Sequence, residues 1–190
     1  MNRYSIAGVA ALAAALALVG CHKAAAPAAN AAPAAANVAP AQAAPTTDAA
    51  GARAFLDSLY ARYKSSKNNT FDIYGKDAPS VFDPDTLALL QADKAALNGT
   101  AGATGADMVC TCQEFTSLSA TVTIVSITPT TARAGVDFHD AGQTENNHSD
   151  YDLAKTPDGW RVHDIHTFGD PSFRASLNQD IKDAKSAPAS

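Results

Sequence analysis

Apolar spacing changes near Met108 from helical to extended, and that change confines the folded part of the chain to helices followed by a sheet. Upstream, Phe55, Leu56, Leu59, Tyr60 and Tyr63 recur at i, i+1, i+4, i+5 and i+8. They lay one broad apolar stripe along a helix predicted to start at Thr47 or Asp48 and run to about Lys64. A loop rich in Asn, Asp and Gly over 65–80 leads to a second helix. There Asp83 reads as N-cap, Pro84 suits the first helical position, Asp85 favours the positive end of the dipole, and Asn98-Gly99 provides the stop. Leu87, Leu90 and Leu97 would face inward, with Leu89 partly covered. The glycines of 99–105 follow a helix and lack a Gly-Lys-Ser/Thr ending, so this segment reads as a connection and not a phosphate loop.

Downstream, period-two patterning predicts strands over 108–115, 118–128, 131–139, 148–155 and 160–168. Turns at Pro129-Thr130, around Gly142 and at Asp158-Gly159 join the later ones as antiparallel hairpins. Asp170-Pro171 repeats the cap-plus-proline signal, and Phe173, Leu177 and Ile181 mark a short C-terminal helix. The expected fold is α+β: N-terminal helices packed on a curved antiparallel sheet, closed by a short helix, in one domain over 48–185 with a disordered tail over 186–190.

The first quarter of the chain is not expected to fold. Residues 1–20 carry Arg3, an apolar run from Ile6 to Val19 and small residues, which fits a secretory signal peptide too short to span a bilayer. The ending Leu18-Val19-Gly20-Cys21 resembles a bacterial lipobox. The resemblance implies cleavage before Cys21 and lipidation of its thiol, with His22 next to it leaning toward the outer membrane; a plain secretory signal with a chance cysteine is the alternative. Residues 21–47 are then the lipidated Cys and an Ala/Pro-rich tether that buries too little to offset ordering entropy, reaching roughly 30 Å as a coil or about 80 Å as polyproline helix. From Asp48 onward twelve basic residues stand against nineteen acidic ones, a formal charge of −7. That balance argues against nucleic acid and against docking on anionic lipid, and suits a basic partner.

The order of elements resembles the cone-shaped fold of nuclear transport factor two and of cystatin-like lipoproteins. More narrowly, it resembles the bacterial envelope family termed domain of unknown function 3828. The residues that carry this are Phe55-Leu56-Asp57-Ser58-Leu59-Tyr60 with Tyr63, Phe82-Asp83-Pro84-Asp85-Thr86-Leu87, Cys110-Thr111-Cys112-Gln113-Glu114, and Asp158-Gly159-Trp160-Arg161-Val162 with Asp164-Ile165. The family has no catalytic residues to carry over. The resemblance implies a fold and an envelope location, and some periplasmic lipoproteins of this kind act as immunity proteins against antibacterial toxins.

Four candidate sites stand out. Cys110 and Cys112, two apart on a strand, would share a face with Cα atoms near the upper limit for bridging, so a strained local disulfide and a pair of buried thiols both stand open. The spacing is not Cys-x-x-Cys and no helix N-terminus is predicted there, which argues against a redox centre. On the last strand Trp160, Val162, Asp164 and His166 would share one face, and Arg161, His163 and Ile165 the other. Tyr151, Trp160, Asp164 and His166 could then line a pocket with Asp164 and His166 as an acid–base pair, although a buried carboxylate held by ordinary donors explains the pattern as well. His139 and His148 could face each other across a hairpin centred between residues 143 and 144, with Asp137, Asp140 or Asp150 as a third ligand. The spacing matches no metal signature, so a surface hairpin is expected, offering Asp140, Gln143, Glu145 and His148 to a partner.

No Gly-x-Ser-x-Gly occurs and no cysteine has an evident base beside it, so no catalytic residue, cofactor or metal is assigned and no enzyme is expected. The expectation is a periplasmic, lipid-anchored protein-binding module, in its specific form an immunity protein neutralising an antibacterial effector toxin. The alternatives are a small-molecule or enzymatic pocket around Asp164 and His166, and a structural envelope lipoprotein.

Overall fold

A computed structural model describes residues 47–67, 69–168 and 172–186 of the chain. Helix α1 (Thr47–Tyr60) runs on as a 3-10 turn to Tyr63, and a short α2 (Ala78–Val81) precedes α3 (Pro84–Ala96). Four strands follow, β1 (Leu118–Ile127), β2 (Thr131–Asp140), β3 (Asn146–Thr156) and β4 (Gly159–Thr167), then α4 (Phe173–Ser186). The strands form one antiparallel meander in the order β1-β2-β3-β4, so the fold is the expected α+β arrangement of helices, sheet and closing helix. The expected signal peptide, lipobox-like ending and most of the expected tether lie outside the described residues. Among the described residues no helix is long and apolar enough to cross a membrane.

The stripe on α1 buries as its spacing requires. Ala52, Leu56, Leu59, Tyr60 and Tyr63 are all buried, and they meet Val122, Ala134, Val136, Phe138, Tyr151 and Leu153 from the inner face of the sheet. Each large apolar side chain removed from water here contributes about 1.5–3 kcal/mol before entropy is counted. Tyr60 and Tyr151 meet between helix and sheet, both buried, with their hydroxyls 2.9 Å apart. Trp160 sits against α1 at Gly51, where an added Cβ would come within 3.3 Å of the indole nitrogen.

The sheet is guarded unequally at its two edges. Phe82 pairs with Val162 as an isolated parallel bridge, and Asp83 N donates to Val162 O at 2.9 Å, so the α2–α3 junction covers the edge of β4. On β1 the Arg53 guanidinium takes the carbonyl of Val122, while Val125 stands 63% exposed. Two residues have no partner across the sheet, Val125 in β1 and His163 in β4, and each is a β-bulge.

Two expectations are corrected. Residues 108–115 form no strand: they turn tightly, with Cys110 and Cys112 joined as a disulfide of Cα separation 5.1 Å and only a bridge between Asp107 and Cys112. A ring that spans one intervening residue cannot extend, and Thr111 is turned to φ +52° to close it. The β2–β3 hairpin is centred one residue earlier than expected, since Asp137 pairs with His148 and His139 with Asn146. The cause is Asp140, whose carboxylate accepts the N–H groups of Thr116, Ser117 and Gly142 and sets where the chain turns. Helix α4 is capped by Ser172, whose hydroxyl accepts Ala175 N at 3.0 Å, and by Asp164, which accepts Arg174 N at 3.0 Å. The expected cap at Asp170-Pro171 lies outside the described residues.

Candidate functional site

Strand β4 begins as its alternation predicts, with Trp160 and Val162 in the core. At His163 the bulge inserts one residue, so that Leu153 pairs with Val162 but Asp152 pairs with Asp164. Beyond it the faces exchange, and Ile165 joins Tyr151 in the core, fully buried, while Asp164 and His166 turn to the other side. The expected pocket of Tyr151, Trp160, Asp164 and His166 is therefore not assembled. Tyr151 and Trp160 are core residues, and Asp164 is buried because it holds the start of α4, accepting Ser172 Oγ–H at 2.7 Å.

What the sheet presents instead is a polar outer face. His148 Nδ1 lies 2.7 Å from Asp137 Oδ1 and its Nε2 3.5 Å from Asp150 Oδ1, with Arg133 3.9 Å from Asp150. His166 Nε2 lies 2.9 Å from Asp152 Oδ2 and 3.7 Å from Asp164 Oδ2. Each imidazole is thus flanked by two carboxylates, one from the neighbouring strand and one two residues away on its own strand. The hydrogen bond to Asp137 pushes the pKa of His148 up, more than its slight burial pushes it down.

At one end of this face an open groove of about 520 Å³ is lined by Asp83, Asp85, Ser126, Arg133, Asp152 and His163. His163, left out of the ladder by the bulge, reaches the N-cap of α3, with Nδ1 2.7 Å from Asp83 Oδ2. Burial works against the charge on Asp83, but the hydrogen bonds from His163 and Thr86 outweigh it and hold its carboxyl below the ordinary value. An ionised carboxylate only accepts, so Nδ1 donates and Nε2 is the atom left to exchange a proton or meet a ligand. One atom each from Asp83, Asp85 and His163 lie within 4.8 Å of one another, the spacing of a metal trio. Asp83, however, is spent on Thr86 N and on His163, so the set has no full complement of unengaged ligands and no ion is assigned to it.

The residues expected to meet a partner divide. Gln143, Glu145 and His148 are exposed, whereas Asp140 is 6% exposed and occupied in fixing the turn, so it is corrected to a structural residue. His139 lies instead beside a second cleft of about 620 Å³ between the end of α1 and β1, with Asp57 and Lys64. Nothing local in the sequence points to the Asp83–His163 pair, because the two residues are 80 apart. The row His148, Asp150, Asp152, by contrast, is legible as a period-two polar face.

No protein-family model matches the chain. No curated protein matches it either. Among solved structures it is similar to the phospholipid-binding protein from Ralstonia solanacearum in complex with a phospholipid, at 17% identity and a TM-score of 0.34, over 70% of this chain and 73% of that one. At that distance nothing about the other protein's ligand transfers.

Proposed function

We propose that this chain is a recognition module of the bacterial envelope that binds a cationic protein segment on the outer face of its sheet. The observation that carries the reading is the outer face of the sheet, where Asp137, Asp150 and Asp152, with Asp85 at its end, offer carboxylates around three imidazoles. The acidic balance of the folded part and the lipobox-like ending at Cys21 support an anchored module facing the periplasm.

The test is binding of a lysine-rich peptide to the full chain. Affinity should fall steeply with added salt, and fall again as pH drops from neutrality and His148 takes up its proton. The paired change Asp150→Asn with Asp152→Asn should weaken it roughly tenfold, about 1.4 kcal/mol. Undiminished binding by that variant would end the proposal. Neutralisation of a periplasm-acting toxin is the narrower form of this reading, and the lipobox-like ending at Cys21 and the Ala/Pro-rich composition after it speak for it. Cells lacking the chain should then be more sensitive to their kin, and unchanged sensitivity would remove toxins from consideration.

A further inference from the structure

We propose that the Cys110–Cys112 disulfide is a thiol–disulfide exchange centre that accepts electrons from dithiols of client proteins. Three observations point there, beginning with how little the bond holds. Its loop is pinned without it: Asp107 N donates to Cys112 O at 2.8 Å and Cys112 N to Asp107 O at 3.2 Å. Tyr60 Oη–H donates to Val109 O at 3.1 Å, Tyr63 Oη–H to Asp107 Oδ2 at 2.6 Å, and Tyr74 Oη–H to Ala106 O at 2.9 Å. A disulfide stabilises mainly by closing a long loop in the unfolded chain, and a loop with one residue between the cysteines is close to the shortest there is. As a staple the bond is redundant.

The second observation is strain in the backbone between the sulfurs. Thr111 sits at φ +52°, a left-handed conformation that a β-branched residue adopts at a cost, and opening the ring lets it relax. The third is access. Cys110 is 4% exposed, while Thr111 is exposed and Cys112 half-buried, so a client thiolate can reach the Cys112 end. The released sulfur already has a place to rest: the carbonyl oxygens of Asp107 and Cys112 each lie 3.7 Å from Cys110 Sγ and accept the S–H of the reduced thiol.

The exchange balances as follows. A client thiolate attacks Cys112 Sγ, forming a mixed disulfide, and the bond to Cys110 breaks with its electron pair leaving on Cys110 Sγ, which takes a proton from water. The client's second thiolate attacks its own sulfur in the mixed disulfide and expels Cys112 as thiolate. Two electrons have passed to the cysteine pair, and the client holds the new disulfide. An oxidised pair acting as acceptor draws its attacking thiolate from the client, which is why it can work without a Cys-x-x-Cys spacing at a helix N-terminus.

The deciding experiment places the full chain in glutathione redox buffers, traps it by alkylation and maps it by peptide mass so that Cys21 is scored apart. Cys110 and Cys112 should partition measurably between disulfide and dithiol as the buffer is varied, with the melting temperature of the reduced form lower by no more than a few degrees. With oxidised glutathione, Cys110→Ser should gain one glutathione on Cys112, and Cys112→Ser roughly tenfold less on the buried Cys110. A pair that stays oxidised throughout the buffer series, or a domain that melts on reduction, overturns the proposal. Equal or reversed labelling of the two variants overturns Cys112 as the attacked sulfur. Should a variant fail to fold, the partition of the unaltered chain alone upholds or overturns the exchange.

Discussion

His163 Nδ1 lies 2.7 Å from Asp83 Oδ2, tying the bulge of β4 to the first turn of α3. The same turn is held twice more, by Thr86 N donating to Asp83 Oδ1 at 2.9 Å and by Thr86 Oγ1–H donating to the carbonyl of His163 at 2.6 Å. Asp83→Ala removes an N-cap and the partner of an imidazole together, and should cost about 2 kcal/mol in urea denaturation. His163→Ala, whose side chain is 40% exposed, should cost about 1 kcal/mol or less. Equal losses would mean that the cap contributes nothing beyond the pair.

Trp160 joins sheet to helix, 5% exposed and packed against Gly51, with the Lys155 ammonium 5.5 Å above its ring. Trp160→Ala should destabilise the domain by about 3–5 kcal/mol, measured by chemical denaturation. A loss under about 1 kcal/mol would place the indole outside the core.

Asp93 on α3 is 1% exposed, and its Oδ1 has no hydrogen-bond partner among the described residues. Burial, then the like charge of Asp180, pushes its pKa up. A raised carboxyl pKa means that the folded state binds the proton more tightly, so stability falls as pH rises through the folded value. Asp93→Asn should therefore gain about 1 kcal/mol at neutral pH and nothing in acid, where the carboxyl is already neutral. A gain independent of pH in thermal melts would rule out this account.

Much of the architecture could be read locally. The stripe of α1, the Asp83-Pro84 start of α3 and the Asp158-Gly159 turn, with Gly159 at φ +108°, all rest on residues within a turn of one another. The facing of Asp164 and His166 could not be read, because the bulge that decides it is held by Asp83 and Thr86, about 80 residues away. The segment after Met108 failed as a strand for a similar reason. Its backbone is claimed by Tyr60 at Val109 and by Tyr74 at Ala106 and Met108, while Tyr63 takes the Asp107 carboxylate, and all three hydroxyls arrive from the helical half of the chain.

Acid behaviour follows from groups of opposite sign. Burial alone would raise the pKa of Asp140, but the N–H groups of Ser117, Gly142 and Thr116 bring it below the ordinary 3.8, as His163 and Thr86 do for Asp83. Depressed carboxyls stabilise the fold above 3.8, and that contribution is lost as pH falls through their folded values. Burial raises the pKa of Asp107 despite its bonds from Tyr63 and Val109, and the Asp137 contact raises that of His148; both favour the fold more as pH drops from neutrality. Melting temperature should thus peak on the acid side of neutrality and fall below pH 3.8, and Asp140→Asn should flatten the acid limb. A peak on the alkaline side would contradict these signs.

The extra residue at His163 makes the count of β4 odd where its partner's is even. Parity along a strand decides which side chains see water: deleting His163 would leave Val162, Asp164, Ile165 and His166 in the alternation they already show, whereas drawing His163 into a regular ladder would turn Asp164 and His166 inward and expel Ile165. Loss of that one codon is therefore expected to be silent for which groups this strand wears outside, and the bulge is what allows a sequence written in strict alternation to keep its titratable groups in water.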